Sequence, residues 1–204
     1  MSASGGPEVE KIGEHDVVPC AEVLAGAFQD DPFQSYAIPD PRARREIARA
    51  QFQAYVRYAR ASGLALTTRG ERLGVSLWLR PGETEPGPDH PAAADFAELT
   101  QRLGPEATSR SLRIAQWLAR IRTEVAGTSF WYLMVLGVRA DRRRRGIGSA
   151  LVRPGLALAE ADRVPCYLET VKPANRAFYE HLGFRLARDA RDGASGLRVL
   201  AFLR

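Results

Sequence analysis

Cysteine is scarce in this chain and histidine nearly so. The two cysteines, Cys20 and Cys166, stand far apart in apolar company, and the three histidines, His15, His90 and His181, are scattered. Neither a CxxC pair nor a paired-histidine motif is present, which speaks against a zinc or dithiol framework. Two buried free thiols and no metal are expected. Long apolar runs are missing as well: none approaches the about 18–20 residues a membrane-spanning helix needs. The opening MSASGGPEVE lacks a basic stretch followed by an apolar one, so no secretory signal is read. The expectation is a cytoplasmic protein with no membrane partner. No internal repeat or low-complexity tract interrupts it.

What is present is ordinary for a globular domain. Of 204 residues, 45% are hydrophobic and 26% charged, enough to bury a core without disulfide or metal staples. The net charge of +5 suits an anionic partner, whether nucleic acid, a membrane surface or a phosphorylated cofactor, and does not choose among them. Residues 1–7 are rich in Ser, Gly and Pro and read as a disordered N-terminus. Residues 8–204 read as one domain.

Along the chain, Val9–Ile12 suggests a short strand. Asp16 suits a helix N-cap before Val17, Cys20, Val23, Leu24 and Ala27 at helical spacing. Phe28–Asp40, with Asp30, Asp31, Pro32, Pro39 and Asp40, reads as a loop. Pro41 opens a second helix closed by Gly63. Leu64–Thr68 and Leu73–Leu79 form a strand pair, Pro81–Pro91 a loop, and Pro91–Gly104 and Glu106–Ala126 two helices. The segment 85–127 is thus a helical insertion between strands, placed to act as a lid or to pack elsewhere. Phe130–Val138 is long and apolar enough for a central strand buried on both faces. Ile147–Ala161 is helical, with a bend expected at Pro154–Gly155. Cys166–Val171 is a strand, Pro173–Leu182 a short helix closed by Gly183, and Phe184–Ala187 with Leu197–Leu203 a terminal hairpin.

The most informative stretch is LMVLGVRADRRRRGIGSAL, Leu133–Leu151, where a strand feeds a basic turn and the turn feeds a helix. A helix start exposes unpaired N–H groups and the positive end of the macrodipole, which favour an anion. Gly146 and Gly148 let that anion approach the backbone. A dinucleotide fingerprint fails because Leu151 stands where its third Gly belongs, and a Walker A loop fails because no Lys follows Gly146 or Gly148.

Arg143–Gly148 does match R-x-x-G-x-G, and about 25 residues later comes LETVKPANRAFYEHLGF, Leu168–Phe184, with Asn175 and Tyr179 one helical turn apart. These two motifs, in this order and spacing, resemble the pyrophosphate loop and the closing signature of the GNAT N-acetyltransferases. Within that family VLGV, SALVRPGL, LET before NRAFYEHLGF, and AGAFQDDPF are similar to the puromycin N-acetyltransferase branch.

The resemblance implies an α/β (α+β) GNAT fold, a central mixed, mostly antiparallel sheet with a splayed parallel strand pair, flanked by helices. It implies acetyl-CoA as cosubstrate and a small-molecule primary amine as acceptor, an aminonucleoside-like or other toxic amine among the candidates. Backbone groups of Leu136, Gly137 and Val138 would pair with pantetheine. Arg143, Arg144, Arg145, Gly146, Ile147, Gly148 and Ser149 would hold the pyrophosphate, Arg142 adding charge. Asn175 would fix the pantetheine or the helix start. Tyr179 would protonate the leaving thiolate, and a backbone N–H near Leu136–Val138 would receive the oxyanion. Where many relatives place a Glu on the central strand, this chain has Tyr132. That leaves Glu169 as the best carboxylate for base or amine-binding duty, with Asp30 and Asp31 behind it and a water chain as the alternative. Phe33, Tyr132, Trp131 and Trp78 would line an acceptor pocket or pack in the core.

Two other classes compete. A CoA-binding sensor without catalysis has the same fold, and the intact Tyr179 argues against it. A nucleic-acid-binding module would use Arg142–Arg145 and the Arg-rich helices 42–60 and 102–122. Glu residues interspersed among those arginines, opposite apolar stripes, read as a solvated face instead. The assembly is expected to be a monomer or homodimer.

Overall fold

In the computed structural model, residues 6–83 and 86–204 are described. The expectation of disorder over residues 1–7 therefore falls largely outside the described residues, and the insertion 85–127 is described from residue 86 onward. Seven strands form one sheet: β1 (Val9–Lys11), β2 (Gly63–Thr68), β3 (Gly74–Leu79), β4 (Trp131–Val138), β5 (Cys166–Thr170), β6 (Arg185–Arg191) and β7 (Arg198–Leu203), in the order β1-β2-β3-β4-β5-β7-β6. Only the central pair, β4 and β5, is parallel; every other pair is antiparallel.

Helices α1 (Val17–Phe28), α2 (Pro32–Ala37), α3 (Pro41–Ser62), α4 (Ala93–Ala126), α5 (Ile147–Asp162) and α6 (Arg176–His181) cover the sheet. Strand alternation sends successive side chains to opposite layers, so each face gains its own core. Leu24, Phe52, Val56 and Ile121 from α1, α3 and α4 meet Leu77, Leu79, Tyr132 and Tyr167 on one face. Leu151, Val152 and Leu156 of α5 and Tyr179 of α6 meet Trp78, Trp131, Leu168 and Phe202 on the other.

Local chemistry explains most boundaries. Asp40 accepts hydrogen bonds from the Arg42 and Ala43 amides and starts α3, a cap that stabilises by about 1 kcal/mol. Between Phe28 and Asp40 the expectation of a loop is corrected. Asp31 accepts from the Phe33 amide at 3.0 Å and Pro32 takes the first turn, so α2 forms from the very residues that read as loop punctuation. Asp16 does precede α1, but its carboxylate does not cap it; it accepts instead from Arg72 Nε and Nη2 at 3.0 and 2.6 Å.

The two helices of the insertion abut at Gly104 (φ 69°) and Pro105, within α4. Helix α5 runs unbroken through Pro154. A Cβ at Gly155 would lie 2.3 Å from the fully buried Trp78 ring, so the Pro-Gly pair serves close helix–sheet packing where a bend was expected.

Both thiols are buried and free, and burial pushes Cys20 up to about 11 and Cys166 to about 12. Native protein at pH 8 should therefore be inert to a thiol-specific reagent, with both groups reacting once guanidinium unfolds the chain. Rapid modification of either in the native state would contradict this packing.

Candidate active site

The turn after β4 has the backbone of an anion nest. Arg144 (φ 62°) and Gly146 (φ 78°) are both left-handed, and Gly146 is the residue before α5. A Cβ on Gly146 would meet nothing within 4 Å, so the residue before α5 borders open space, and the amides of the first α5 turn lack intrahelical partners by their position. Gly148 also has a packing task. Its missing Cβ admits the Phe178 ring, 3.1 Å from where that carbon would be, with Leu136 Cδ2 at 4.0 Å. Gly148, Phe178 and Leu136 thereby bring the two sequence motifs together. Ile147 points into the core and offers only its backbone.

The four arginines of the turn divide. Arg142 is half-buried and faces Asp141 at 3.6 Å and Glu71 at 3.9 Å. Arg143 is exposed and donates from Nε to the Val138 carbonyl at 3.3 Å. Arg144 and Arg145 are exposed and form no ion pair among the described residues. Two surface cavities flank the nest, one of about 550 Å³ reaching Arg139–Asp141 and one of about 340 Å³ reaching Ser149 and Arg153; neither touches the carboxylate described below.

The central strands part early. The only parallel partners are Trp131 with Cys166 and Tyr132 with Tyr167. Just beyond, β4 carries an extra residue: Trp78 pairs with Leu133 and Leu77 with Val135, which leaves Met134 unopposed. Such a bulge bends its strand and increases the local twist, and here it coincides with the point where β4 leaves β5. Past it, Leu136 and Val138 belong to the α5 side, while a Cβ at Gly137 would sit 2.7 Å from Leu24 Cδ2 of α1. Among the described residues the β4 edge facing β5 beyond Tyr132 therefore has no strand partner, an arrangement open to an extended ligand.

Tyr179 lies on α6 in a nest of rings, with centroids 5.2, 6.1 and 5.7 Å from Phe178, Phe184 and Phe202. Burial alone pushes its hydroxyl well above the usual phenol value, so it stays protonated and is a donor. Asn175 donates from Nδ2 to Thr170 Oγ1 at 3.2 Å, tying the start of α6 to the end of β5.

On the opposite face, two residues past the last parallel pair, stands Glu169. Its side chain is 7% exposed. Tyr132 donates its hydroxyl to Oε1 at 2.6 Å, and the Arg122 guanidinium of α4 approaches the same oxygen at 3.7 Å. Among the described residues Oε2 is buried with no hydrogen bond of good geometry, although the Tyr167 hydroxyl, buried and equally unpaired, lies close enough to interact with the Glu169 carboxylate. A buried carboxylate oxygen left unpaired costs at least about 1–3 kcal/mol. Burial drives the Tyr132 phenol far upward, the Arg122 charge opposing and the Glu169 charge adding to it.

The other sequence candidates scatter. Asp30 is exposed. Asp31 is buried, caps α2 and meets Lys172 Nζ at 3.4 Å; burial raises its pKa and Lys172 opposes the rise. Phe33 packs beside Ala37, Ile38 and Ala107. Trp78 and Trp131 are under α5, and Trp131 Nε1 donates to Asp162 at 2.7 Å. Of the two roles expected for these four aromatics, Trp78, Trp131 and Phe33 take the packing one, and of the four Tyr132 stands at the carboxylate. Sequence reasoning missed Arg122, Tyr167 and Lys172. Arg122 carries no signal there, being one of several arginines on an amphipathic helix.

Comparison with known proteins agrees with this geometry. Residues 113–186 match the family described as acetyltransferase (GNAT) domain. An uncharacterized N-acetyltransferase of Schizosaccharomyces pombe is 27% identical over 183 residues, 86% of this chain and 73% of that protein. A structure described as histone acetyltransferase HPA2 and related acetyltransferase, from Corynebacterium glutamicum, is 26% identical with a TM-score of 0.67, covering 98% of this chain and 96% of its own. The Drosophila melanogaster polyamine N-acetyltransferase that forms N-acetylagmatine shares the fold at 15% identity and a TM-score of 0.63, covering 97% and 98%. With a parallel pair that splays at a bulge, a nest at the following helix and a phenol beside it, the chain carries a GNAT acetyltransferase domain match over residues 113–186 and shares the fold of acyltransferases of that family.

Proposed function

We propose that the chain transfers an acetyl group from acetyl-CoA to the primary amine of a small molecule, with Glu169 receiving that amine. The observation that carries the reading is the buried Glu169 carboxylate itself, placed where β4 and β5 separate beside the rings of Tyr132 and Tyr167, with no well-formed hydrogen bond to Oε2 among the described residues. An acceptor lone to an ammonium is the natural partner for such an oxygen.

The residues fit the cosubstrate. The amides of 143–149 and the open Gly146 suit the diphosphate, Arg143, Arg144 and Arg145 its charge, and the unpaired edge at Leu136–Val138 the pantetheine. Bound there, acetyl-CoA supplies the activated acyl group. Glu169 takes a proton from the ammonium or passes it to water, freeing the lone pair for attack. A β4 amide beyond the bulge stabilises the charge on the carbonyl oxygen. Tyr179 offers its proton to the sulfur as the C–S bond breaks.

An acetyl-acceptor with one cationic amine and an apolar body agrees with this surround, and an aminonucleoside such as puromycin is one member of that class. The test is a panel of aminonucleosides, arylalkylamines, polyamines and aminoglycosides with acetyl-CoA, read by free-thiol release. Glu169→Gln should lower kcat/KM for the best amine by about 10²-fold or more while leaving acetyl-CoA binding intact. Unchanged kcat/KM would remove Glu169 from the site.

A further inference from the structure

We infer that Lys172 is a self-acetylation site: held beside the open edge of β4, its amine takes an acetyl group from acetyl-CoA bound to the same chain. This rests on the reading that acetyl-CoA lies along that edge.

Side-chain amines are scarce in this protein. Lys11 and Lys172 are the two lysines among 29 lysine and arginine residues. A guanidinium keeps its protons near neutral pH and is no nucleophile there, whereas an ammonium that loses one proton is. The two lysines differ in place. Lys11 is exposed on β1, an edge strand three positions from β4, or about 14 Å away at the usual strand spacing. Lys172 is half-buried in the turn after β5.

Contacts on both sides locate its amine. Nζ lies 5.8 Å from the centroid of the Phe28 ring. The edge of that ring, Cε2, is 3.3 Å from where a Cβ on Gly137 would stand, so Phe28 spans from Lys172 to the part of β4 that has left β5. Phe28 packs in the layer of Tyr132 and Tyr167, whose Tyr132 holds Glu169. Nζ also meets the buried Asp31 at Oδ2, 3.4 Å away. The backbone is pinned: the Lys172 amide donates to Thr170 Oγ1 at 3.2 Å, and its carbonyl accepts from the Asn175 amide at 3.0 Å. The turn thus holds the amine at the gap between β4 and β5, on the acceptor side.

The transfer balances without a further reagent. The ammonium gives one proton to Asp31 or to water. Nζ then attacks the thioester carbonyl carbon; a C–N bond forms and the C–S bond breaks. A second proton leaves nitrogen as the amide forms and balances the one that sulfur gains. Lys172 becomes an uncharged amide, coenzyme A departs as the thiol, and one proton is released. Asp31 loses its cationic partner.

The experiment incubates the protein with acetyl-CoA and no acceptor, follows the gain of acetyl by intact mass and maps it by peptide mass spectrometry. Lys172 should be acetylated about tenfold or more faster than Lys11, because proximity favours the amine held at the thioester. Acetic anhydride, which responds to exposure, should favour Lys11. The Lys172 rate constant should not change with protein concentration. Lys172→Arg keeps a cation beside Asp31 and should lose the fast phase; Gly146→Asp, which removes acetyl-CoA binding, should lose it too. Equal rates at the two lysines, a preference for Lys172 with both reagents, a rate constant that rises with protein concentration, or a fast phase surviving in either variant overturns the inference. If acetyl-CoA gives neither heat in calorimetry nor thermal protection, the cosubstrate reading falls and takes this inference with it. Binding that leaves Lys172 unmodified removes the inference alone.

Discussion

Tyr179→Phe is expected to lower kcat by about 10²- to 10⁴-fold while moving the acetyl-CoA Kd by less than about threefold. The substitution deletes one oxygen from a ring that is already packed on Phe178, Phe184 and Phe202, so fold and shape are retained. Stability should be nearly unchanged, because no buried partner loses its bond. What is lost is the one protonated donor that burial holds on α6. Transfer of its proton to a thiolate is uphill, since a thiol of ordinary pKa about 8.5 is the stronger acid. On the proposed reading the phenol therefore acts while the C–S bond is breaking, and its proton is restored through solvent by the one that the attacking nitrogen loses as the amide forms. Thiol release under saturating substrates, beside calorimetry with acetyl-CoA, separates the two quantities. Equal turnover in the variant would discard Tyr179 as the acid.

Gly146→Asp is expected to abolish acetyl-CoA binding, a loss of at least about 10²-fold, so that acetyl-CoA no longer raises Tm. Gly146 is left-handed at 78° and borders open space. Asp tolerates that backbone better than other side chains, so the variant should fold at a cost of about 1–2 kcal/mol. Its carboxylate would stand where, on the proposed reading, the α5 amides and Arg143–Arg145 hold the diphosphate, replacing attraction with repulsion. Gly146→Asn has the same shape and backbone demand without the charge and should retain part of the affinity. Identical losses in Asn and Asp would assign the effect to space rather than charge, and normal binding in Asp would move the nest elsewhere.

The parts of this site that sequence made readable are those where a short motif dictates its own backbone. R-R-G-I-G placed a left-handed residue before a helix, and N-R-A-F-Y placed a phenol one turn after an amide. The strand order is read from family resemblance and from apolar runs such as Phe130–Val138. Side-chain direction was harder. Trp131 and Tyr132 are neighbours in sequence yet belong to opposite cores, and only the second reaches Glu169. Gly148 was read as room for phosphate, and nothing in its motif hinted that the missing Cβ also makes room for Phe178. Asp31 and Pro32 carried a helix-start signal that loop-like composition concealed. Arg122 lies 47 positions before its partner Glu169, and nothing local announces a pairing that only the tertiary fold creates.

The unopposed Met134 changes the parity of β4. Counting in twos from Trp131 correctly puts Leu133 in the α5 layer, but the same count puts Val135 there too, although it packs with α1 and α3. One supernumerary residue thus turns half a strand over, so that its first half presents a tyrosine to the acceptor layer and its second half presents Leu136 to the layer of Phe178 and Tyr179. Were the bulge straightened with Met134 kept in the ladder, Tyr132 and Leu136 would share one layer; deleting Met134 instead leaves them an odd number of positions apart and so on opposite faces, as they are now.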